Sequence, residues 1–229
     1  MLAQTHSLAR DYEIVNPSRG VFGGRYEVAV NYQLPPKPDF EAIDAAAPRS
    51  ADRRTMILAL IGNLVFSWSN NESLLIYILM LLLKTDDISA TVVFGTLNTT
   101  RARLDMISRL AKLNIKNREV DARLAKIIER FNEYTRIRNE FNHCIYTVDP
   151  QGVITHTQSI KIAEVRGRLQ LGSVKPMDQK RIKEIVATVQ QLKALNREIW
   201  DFLPLLQAHL REVQRKTNSN LAKPASSGQ

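Results

Sequence analysis

Two apolar runs separated by a short polar segment place the strongest constraint on how this chain folds. The runs extend from Met56 to Phe66 and from Leu74 to Leu83, and residues 67–73 between them are mostly polar. A helix that spans a bilayer needs roughly 20 consecutive apolar residues, and each run has only about half that length. We therefore interpret the runs as the buried halves of one long core helix and expect no membrane contact.

Helical periodicity continues along most of the remaining chain. Apolar residues recur at spacings of three and four, which is typical of a helix with one buried face. Capping residues and breaks divide this pattern into four predicted helices. They cover residues 52–84, Asp87 to Leu113, Arg118 to Asn142, and the segment from Pro176 onward, with Pro204 as a kink or stop.

After the third predicted helix the apolar period changes from 3.6 to 2. Ile145 to Val148 and Val153 to Thr157 alternate, and Asp149 to Gly152 between them has Pro and Gly where a type I turn prefers them. A further strand is predicted over Lys161 to Leu171. The predicted fold class is therefore mainly α, with a small β-hairpin insertion before the last long helix.

The two ends of the chain differ from this helical part. Residues 1–50 lack helical periodicity and end in the Pro-rich segment Leu34 to Pro38, so we predict an extended arm or linker, with one weak edge strand at Tyr26 to Tyr32. Residues 51–215 form the predicted helical domain, with the β excursion at 145–171. Residues 216–229 are predicted to be a disordered tail.

Composition narrows the classes of partner. The net charge of +9 favours anionic partners such as RNA, although scattered Lys and Arg also make an ordinary solvated surface. The single cysteine, Cys144, excludes an internal disulfide and a cysteine zinc site. Met1 to Arg10 has no apolar secretory core, so we expect a cytoplasmic protein.

The segment Arg138-Asn139-Glu140-Phe141-Asn142-His143 carries the chemistry that this sequence offers. Arg138 is charged at any working pH and presents a planar fork of donors that suits a phosphodiester. A histidine takes or gives a proton near neutral pH. At helical spacing Asn139 lies on the same face as His143, and Arg138 on the same face as Asn142. Together they predict a catalytic site for metal-free RNA cleavage, with no cofactor and no metal ion.

Structural roles are the alternative for these residues. Arg138 would then cap the carbonyls at the helix end, and His143 would plug that end. Glu72 poses a similar choice, because it lies in the polar interruption of the first helix, where a charge requires a partner. Two interpretations are open: Glu72 pairs with Arg138 or His143 and orients them, which makes it a candidate catalytic residue, or it is an exposed charge or forms a salt bridge to another arginine.

The densest basic stretch leads into this segment. Residues 101–138 contain eleven Lys and Arg against five acidic residues. We predict that Arg123, Lys126 and Arg130, together with Asn142, bind RNA. The alternative is that the charges form the solvated face of amphipathic helices.

The order of elements and the unbroken Arg-Asn-x-x-x-His pattern resemble the HEPN family over about residues 52–212. This resemblance implies an up-and-down helical bundle that acts as a homodimer, with the two motif helices building one composite site. It implies a metal-independent endoribonuclease, in which Arg138 binds the scissile phosphate, His143 is acid or base while the 2′-hydroxyl attacks, and Asn139 orients them. Toxin–antitoxin and phage-defence systems are the common settings, so an antitoxin or defence partner is expected.

Two features of the family leave alternatives open. Ile145 stands where members paired with a nucleotidyltransferase antitoxin often carry Tyr, so that pairing is not implied. Some HEPN proteins are non-catalytic, so a helical interaction or regulatory module is the second hypothesis for this chain.

Overall fold

Helices account for most of the computed structural model, which describes residues 37, 53–149, 153–165 and 168–221. The helices of this part are α1 (Arg53–Leu83), α2 (Asp87–Thr96), α3 (Thr100–Asn114), α4 (Arg118–Asn142) and α5 (Gln179–Leu221). The predicted class, mainly helical with a small sheet before the last long helix, is confirmed. The predicted strand at Tyr26 to Tyr32 and the predicted arm, apart from Lys37, lie outside the described residues.

The first helix, α1, is the centre of the bundle. It contacts α2, α3 and α4 and packs most extensively along α5. By length and composition α1 could cross a membrane, but 56% of its most apolar 18-residue window is buried inside the fold. The two apolar runs are therefore parts of one continuous core helix, as predicted.

The polar segment within α1 is divided by helical phase: Ser69, Asn70 and Ser73 are exposed, whereas Ser67, Trp68 and Asn71 are buried. Asn71 is fully buried; its side-chain amide donates to the Leu192 carbonyl at 2.9 Å, and its side-chain oxygen accepts from Asn196 at 2.8 Å. These bonds satisfy a polar group that would be costly to bury alone. They also fix the alignment of α1 along α5.

A tight turn ends α1. Lys84 has φ 54°, its backbone N–H donates to the Leu81 carbonyl at 3.3 Å, and the N–H of Thr85 donates to the Met80 carbonyl at 3.2 Å. This is the Schellman arrangement, in which a left-handed residue, most often glycine, satisfies the last carbonyls of a helix. Asp86 then caps α2 by accepting from the Ser89 N–H at 2.8 Å.

The prediction of one helix from Asp87 to Leu113 was wrong, because the chain turns between α2 and α3. The Thr99 side chain accepts from the Ala102 N–H at 3.1 Å and starts a new helix. Leu97 and Leu104 are seven residues apart, so the apolar spacing gave no sign of the break. The next boundary matched the prediction: Asn117 caps α4 through the N–H groups of Glu119 and Val120.

A small sheet separates α4 from α5. Its strands β1 (Cys144–Val148), β2 (Ile154–Ser159) and β5 (Val174–Pro176) are antiparallel in the order β1-β2-β5. The predicted hairpin is the β1-β2 pair. The single strand predicted over Lys161 to Leu171 is instead two paired strands, β3 (Ile162–Val165) and β4 (Arg168–Leu171).

The last helix is longer than predicted. Pro204 lies inside α5, so the helix does not stop there. The helix continues to Leu221, so residues 216–221 are helical and not part of a disordered tail. Proline removes one helical hydrogen bond. Phe202, Leu203 and Leu206 around it are fully buried, and this packing holds the helix together.

Candidate functional site

The predicted motif spans the last turn of α4 and the residue that follows. His143 is the C-cap, and its backbone N–H donates to the Asn139 carbonyl at 3.1 Å. Arg138 and Asn139 are half-buried, whereas Asn142 and His143 are exposed. The helix end therefore divides the motif into an inner pair and an outer pair.

Arg138 extends across to α1 and lies on Trp68. The guanidinium carbon is 3.3 Å from the centroid of the indole ring, a close cation–π contact. The Arg138 Nη1 donates to the Asn139 side-chain oxygen at 2.8 Å, and its Nε is buried without a hydrogen-bond partner among the described residues. The structural alternative required Arg138 to cap the carbonyls at the end of α4. The observed contacts of Arg138 do not include such a cap.

Trp68 is itself fixed from the α4 side. Its indole N–H donates to the Thr135 hydroxyl oxygen at 3.1 Å, and its ring packs against Phe131 with centroids 5.7 Å apart. Arg138, Thr135 and Phe131 all belong to α4. This one helix therefore fixes the indole through a cation–π contact, a hydrogen bond and a ring contact. Asn139 and Trp68 together determine where the guanidinium points.

The partners of Glu72 lie in the first turn of α3. Its carboxylate accepts from Arg103 at 2.7 Å and from the Thr100 hydroxyl at 2.7 Å. Arg103 also stacks on Phe94, 4.0 Å from the ring centroid, and donates to the Phe94 carbonyl at 3.2 Å. Of the two alternatives for Glu72, the structure shows the salt bridge to another arginine and not the pairing with Arg138 or His143, because the first turn of α3 reaches Glu72.

Arg138, Trp68 and Asn139, together with Glu72, Arg103 and Thr100, form what we call the Arg138 cluster. The charges of this cluster do not balance. Glu72 is close enough to Arg138 to interact electrostatically, but its ion pair is with Arg103. Burial lowers the pKa of Arg138; Glu72 acts in the opposite direction and Arg103 lowers the pKa further. An arginine stays charged in proteins. Two cations therefore share one carboxylate, and the cluster favours an added anion.

His143 lies outside this cluster. Its side chain is exposed, and within the described part of the chain its imidazole makes no hydrogen bond or ion pair. It does not plug the helix end. The Phe141 carbonyl at that end instead accepts from the Tyr146 hydroxyl at 2.6 Å, and burial raises the pKa of Tyr146.

No protein-family model, no curated protein and no solved structure matches this chain.

Glu140, inside the motif, has a structural role. Its carboxylate accepts from Lys175 at 2.8 Å and from Arg181. Arg181 also pairs with Glu184 at 3.0 Å and stacks over Phe141. These contacts fasten the end of α4 to β5 and to the start of α5, so His143 projects from a rigid base.

The predicted RNA-binding residues of α4 are placed unequally. Lys126 and Asn142 are exposed. Arg130 forms an ion pair with Glu198 of α5, and the guanidinium carbon of Arg123 lies 6.0 Å from the centroid of the Phe202 ring. Both arginines therefore make contacts within the fold.

Three residues in or next to the Arg138 cluster were missed from sequence, namely Thr100, Arg103 and Thr135. Thr135 was detectable, because it lies one helical turn from Arg138 on the inner side of the predicted helix. Arg103 and Thr100 approach Glu72 only because α2 and α3 are separate helices. Among the described residues, no three His, Cys, Asp or Glu side chains are grouped so as to hold a metal ion.

Proposed function

We propose that this protein is a metal-independent endoribonuclease of the HEPN type. The observation that carries the proposal is the unbalanced cluster at Arg138. Its guanidinium is half-buried, is held by Trp68 and Asn139, and forms no ion pair among the described residues. Glu72, whose carboxylate acts on Arg138 electrostatically, pairs with Arg103. An RNA phosphodiester supplies the anion that this arrangement lacks.

The residues of the motif have distinct roles in the proposed reaction. Arg138 binds the scissile phosphate and offsets the charge that develops on its oxygens as the 2′-hydroxyl attacks phosphorus. A histidine removes the proton of that hydroxyl or protonates the departing 5′-oxygen. The P–O5′ bond breaks as the new bond forms, which leaves a 2′,3′-cyclic phosphate and a 5′-hydroxyl. His143 has the exposure that this role needs, and Asn139 orients Arg138.

The proposed site is built by two chains. Arg138 points toward α1, whereas His143 is exposed at the end of α4 and forms no hydrogen bond with it. A homodimer with the two motif helices facing each other would bring His143 of one protomer to Arg138 of the other. Such a two-fold arrangement is self-complementary.

Toxin–antitoxin or phage-defence systems in the cytoplasm are the settings we propose. An antitoxin or defence-system protein would be the partner. Tyr146 follows Ile145, and its hydroxyl is bound to the Phe141 carbonyl. The tyrosine of nucleotidyltransferase-paired members would stand at Ile145, so we do not propose that pairing.

A cleavage assay in EDTA tests the proposal. Wild type, Arg138→Ala and His143→Ala are purified identically and incubated with RNA, with His156→Ala as the matched control because His156 is equally an exposed histidine. We expect losses of roughly 100-fold or more in the two motif variants and none in the control. Products should end in 2′,3′-cyclic phosphate. Cleavage that survives in His143→Ala would refute the assignment.

A non-catalytic interaction module is the second candidate, and the sheet favours it. Ile145 of β1 and Val174 of β5 flank Gln158 in one row across the sheet and are 48% and 57% exposed. Exposed apolar side chains of this kind can contact a partner protein. Absence of cleavage by wild type in the same assay would favour this candidate.

A further inference from the structure

The solvent-facing side of α3 and the residue two beyond its end carry a row of cations. Arg101, Arg109, Lys112 and Lys116 are all exposed, at spacings of eight, three and four residues. The spacings of Arg101, Arg109 and Lys112 place these three along one side of α3, and Lys116 follows just past the C-cap Ile115. Within the described chain none of the four forms an ion pair. We call these four residues the α3 row.

The α3 row begins at the candidate site. Arg101 lies between Thr100 and Arg103, whose side chains both donate to Glu72. At the other end, the Lys116 N–H donates to Nε2 of His209 at 3.1 Å, far along α5. From Arg101 to Lys112 the helix rises about 16 Å. The row therefore leads from the Arg138 cluster toward the opposite end of the bundle.

The exposed face of α4 does not continue this positive surface. Its exposed cations are Arg118, Lys126 and Arg136, and its exposed carboxylates are Glu119, Asp121, Glu129 and Glu133. On α3 the only exposed carboxylate is Asp105. Among exposed side chains, the excess positive charge of residues 101–138 thus lies on α3 and Lys116, although α4 carries the motif.

We propose that the α3 row binds the phosphates of the single-stranded RNA that flanks the cleavage point. This rests on the proposed function. The row and the Arg138 cluster together would hold successive phosphates of one strand, and the guanidinium planes of Arg101 and Arg109 can also stack on unpaired bases. An anionic membrane is a poorer fit, because Leu113 is the one large exposed apolar side chain on α3.

Binding measurements on a cleavage-deficient chain test this inference apart from the proposed function. In the His143→Ala background, R101Q/R109Q/K112Q/K116Q is compared with a control that removes four other exposed cations, R136Q/K180Q/K183Q/R215Q. Fluorescence anisotropy with a labelled single-stranded RNA is recorded across a salt series. Circular dichroism confirms that all chains are folded. The two quadruple variants have equal net charge, so a general charge effect would weaken both alike.

At 100 mM salt we expect the α3 variant to bind roughly tenfold or more weakly, and its salt slope to fall by about 0.7 for each phosphate that it no longer binds. The control should change far less. Equal losses in both variants, an unchanged slope, or a loss seen only with phosphatidylserine vesicles and not with RNA would overturn the inference. Failure of the proposed function is a separate result, because it appears as absence of cleavage by wild type in EDTA.

Discussion

The guanidinium carbon of Arg138 lies 3.3 Å from the centroid of the Trp68 indole ring. Trp68 belongs to α1 and Arg138 to α4, and Thr135 of α4 accepts the indole N–H. One aromatic side chain thus connects the central helix of the bundle to the motif. The position of Arg138 depends on the packing of α1, so substitutions in α1 should affect both stability and the motif.

Trp68→Leu should lower the free energy of unfolding by about 3 kcal/mol, because it leaves a cavity beside Phe131 and removes the cation–π contact. Urea unfolding measures this. Thr135→Val removes the acceptor of the indole N–H together with the bond that the hydroxyl donates to the Phe131 carbonyl, and should cost about 1–2 kcal/mol. A Trp68→Leu protein as stable as wild type would mean that the stack does not support the fold.

Glu72→Gln should destabilise the protein by about 1–3 kcal/mol, because it leaves the half-buried Arg103 and Arg138 without a carboxylate. Removing the cation as well, in E72Q/R103Q, should cost less than the sum of the two single changes. Glu133→Gln, at an exposed position in the middle of α4, is the control and should have little effect. Additive costs would contradict a direct Glu72–Arg103 interaction.

Lys84→Gly should stabilise the protein by about 0.5–1 kcal/mol, since glycine adopts a positive φ without the penalty of a side chain. Thermal unfolding measures the change. Lys84→Ala is the matched control, because alanine loses the charge but keeps the Cβ atom. If both variants gained equally, the gain would come from the charge and not from the backbone.

Asp86 should make a pH-dependent contribution to stability. Hydrogen bonds from the Ser89 N–H and then from the Ser89 hydroxyl lower the pKa of Asp86. A carboxyl whose pKa is lower in the folded state stabilises the fold above its unfolded pKa of about 3.9 and loses this effect as pH falls through the folded pKa. Asp86→Ala should therefore cost about 1 kcal/mol at pH 7 and progressively less in acid. A constant difference between pH 7 and pH 2 would contradict this.

Mixing two inactive variants should restore activity if the site is shared between protomers. After subunit exchange, half of the dimers of Arg138→Ala and His143→Ala contain one intact pair, so about a quarter of the wild-type rate is expected. Light scattering should show a dimer throughout. A site within one chain would give no recovery, and a monomer that cleaves RNA would exclude the composite site.

Local signals in the sequence were sufficient for much of the fold. The bounds of α1 and α4 and the hairpin after α4 follow from capping residues, apolar spacing and turn residues. The partner of Glu72 did not follow, because several arginines were available and the choice depends on how α3 packs against α1. The break before Thr99 was hidden because the apolar spacing is the same on both sides of it.

The sequence also held information about charge that the net total concealed. Arg123 and Arg130 lie four residues before and three after the buried Ile127, which places them beside the inner face of α4. Arg101, Arg109 and Lys112 occupy the outer face of α3, and Lys116 is exposed just beyond its end. Helical phase thus separates arginines that pack inside the bundle from cations that face solvent, whereas counting charges along the chain does not.

The stacking of Arg138 on Trp68 gives the protein a built-in optical reporter. The chain has two tryptophans, and the other, Trp200, packs against Tyr77 at a centroid distance of 6.3 Å. In Trp200→Phe the emission would come from Trp68 alone, directly beneath the guanidinium. An anion that binds Arg138 alters the electric field at that indole. Its arrival can then be followed by fluorescence in real time, without a label on the protein or on the RNA.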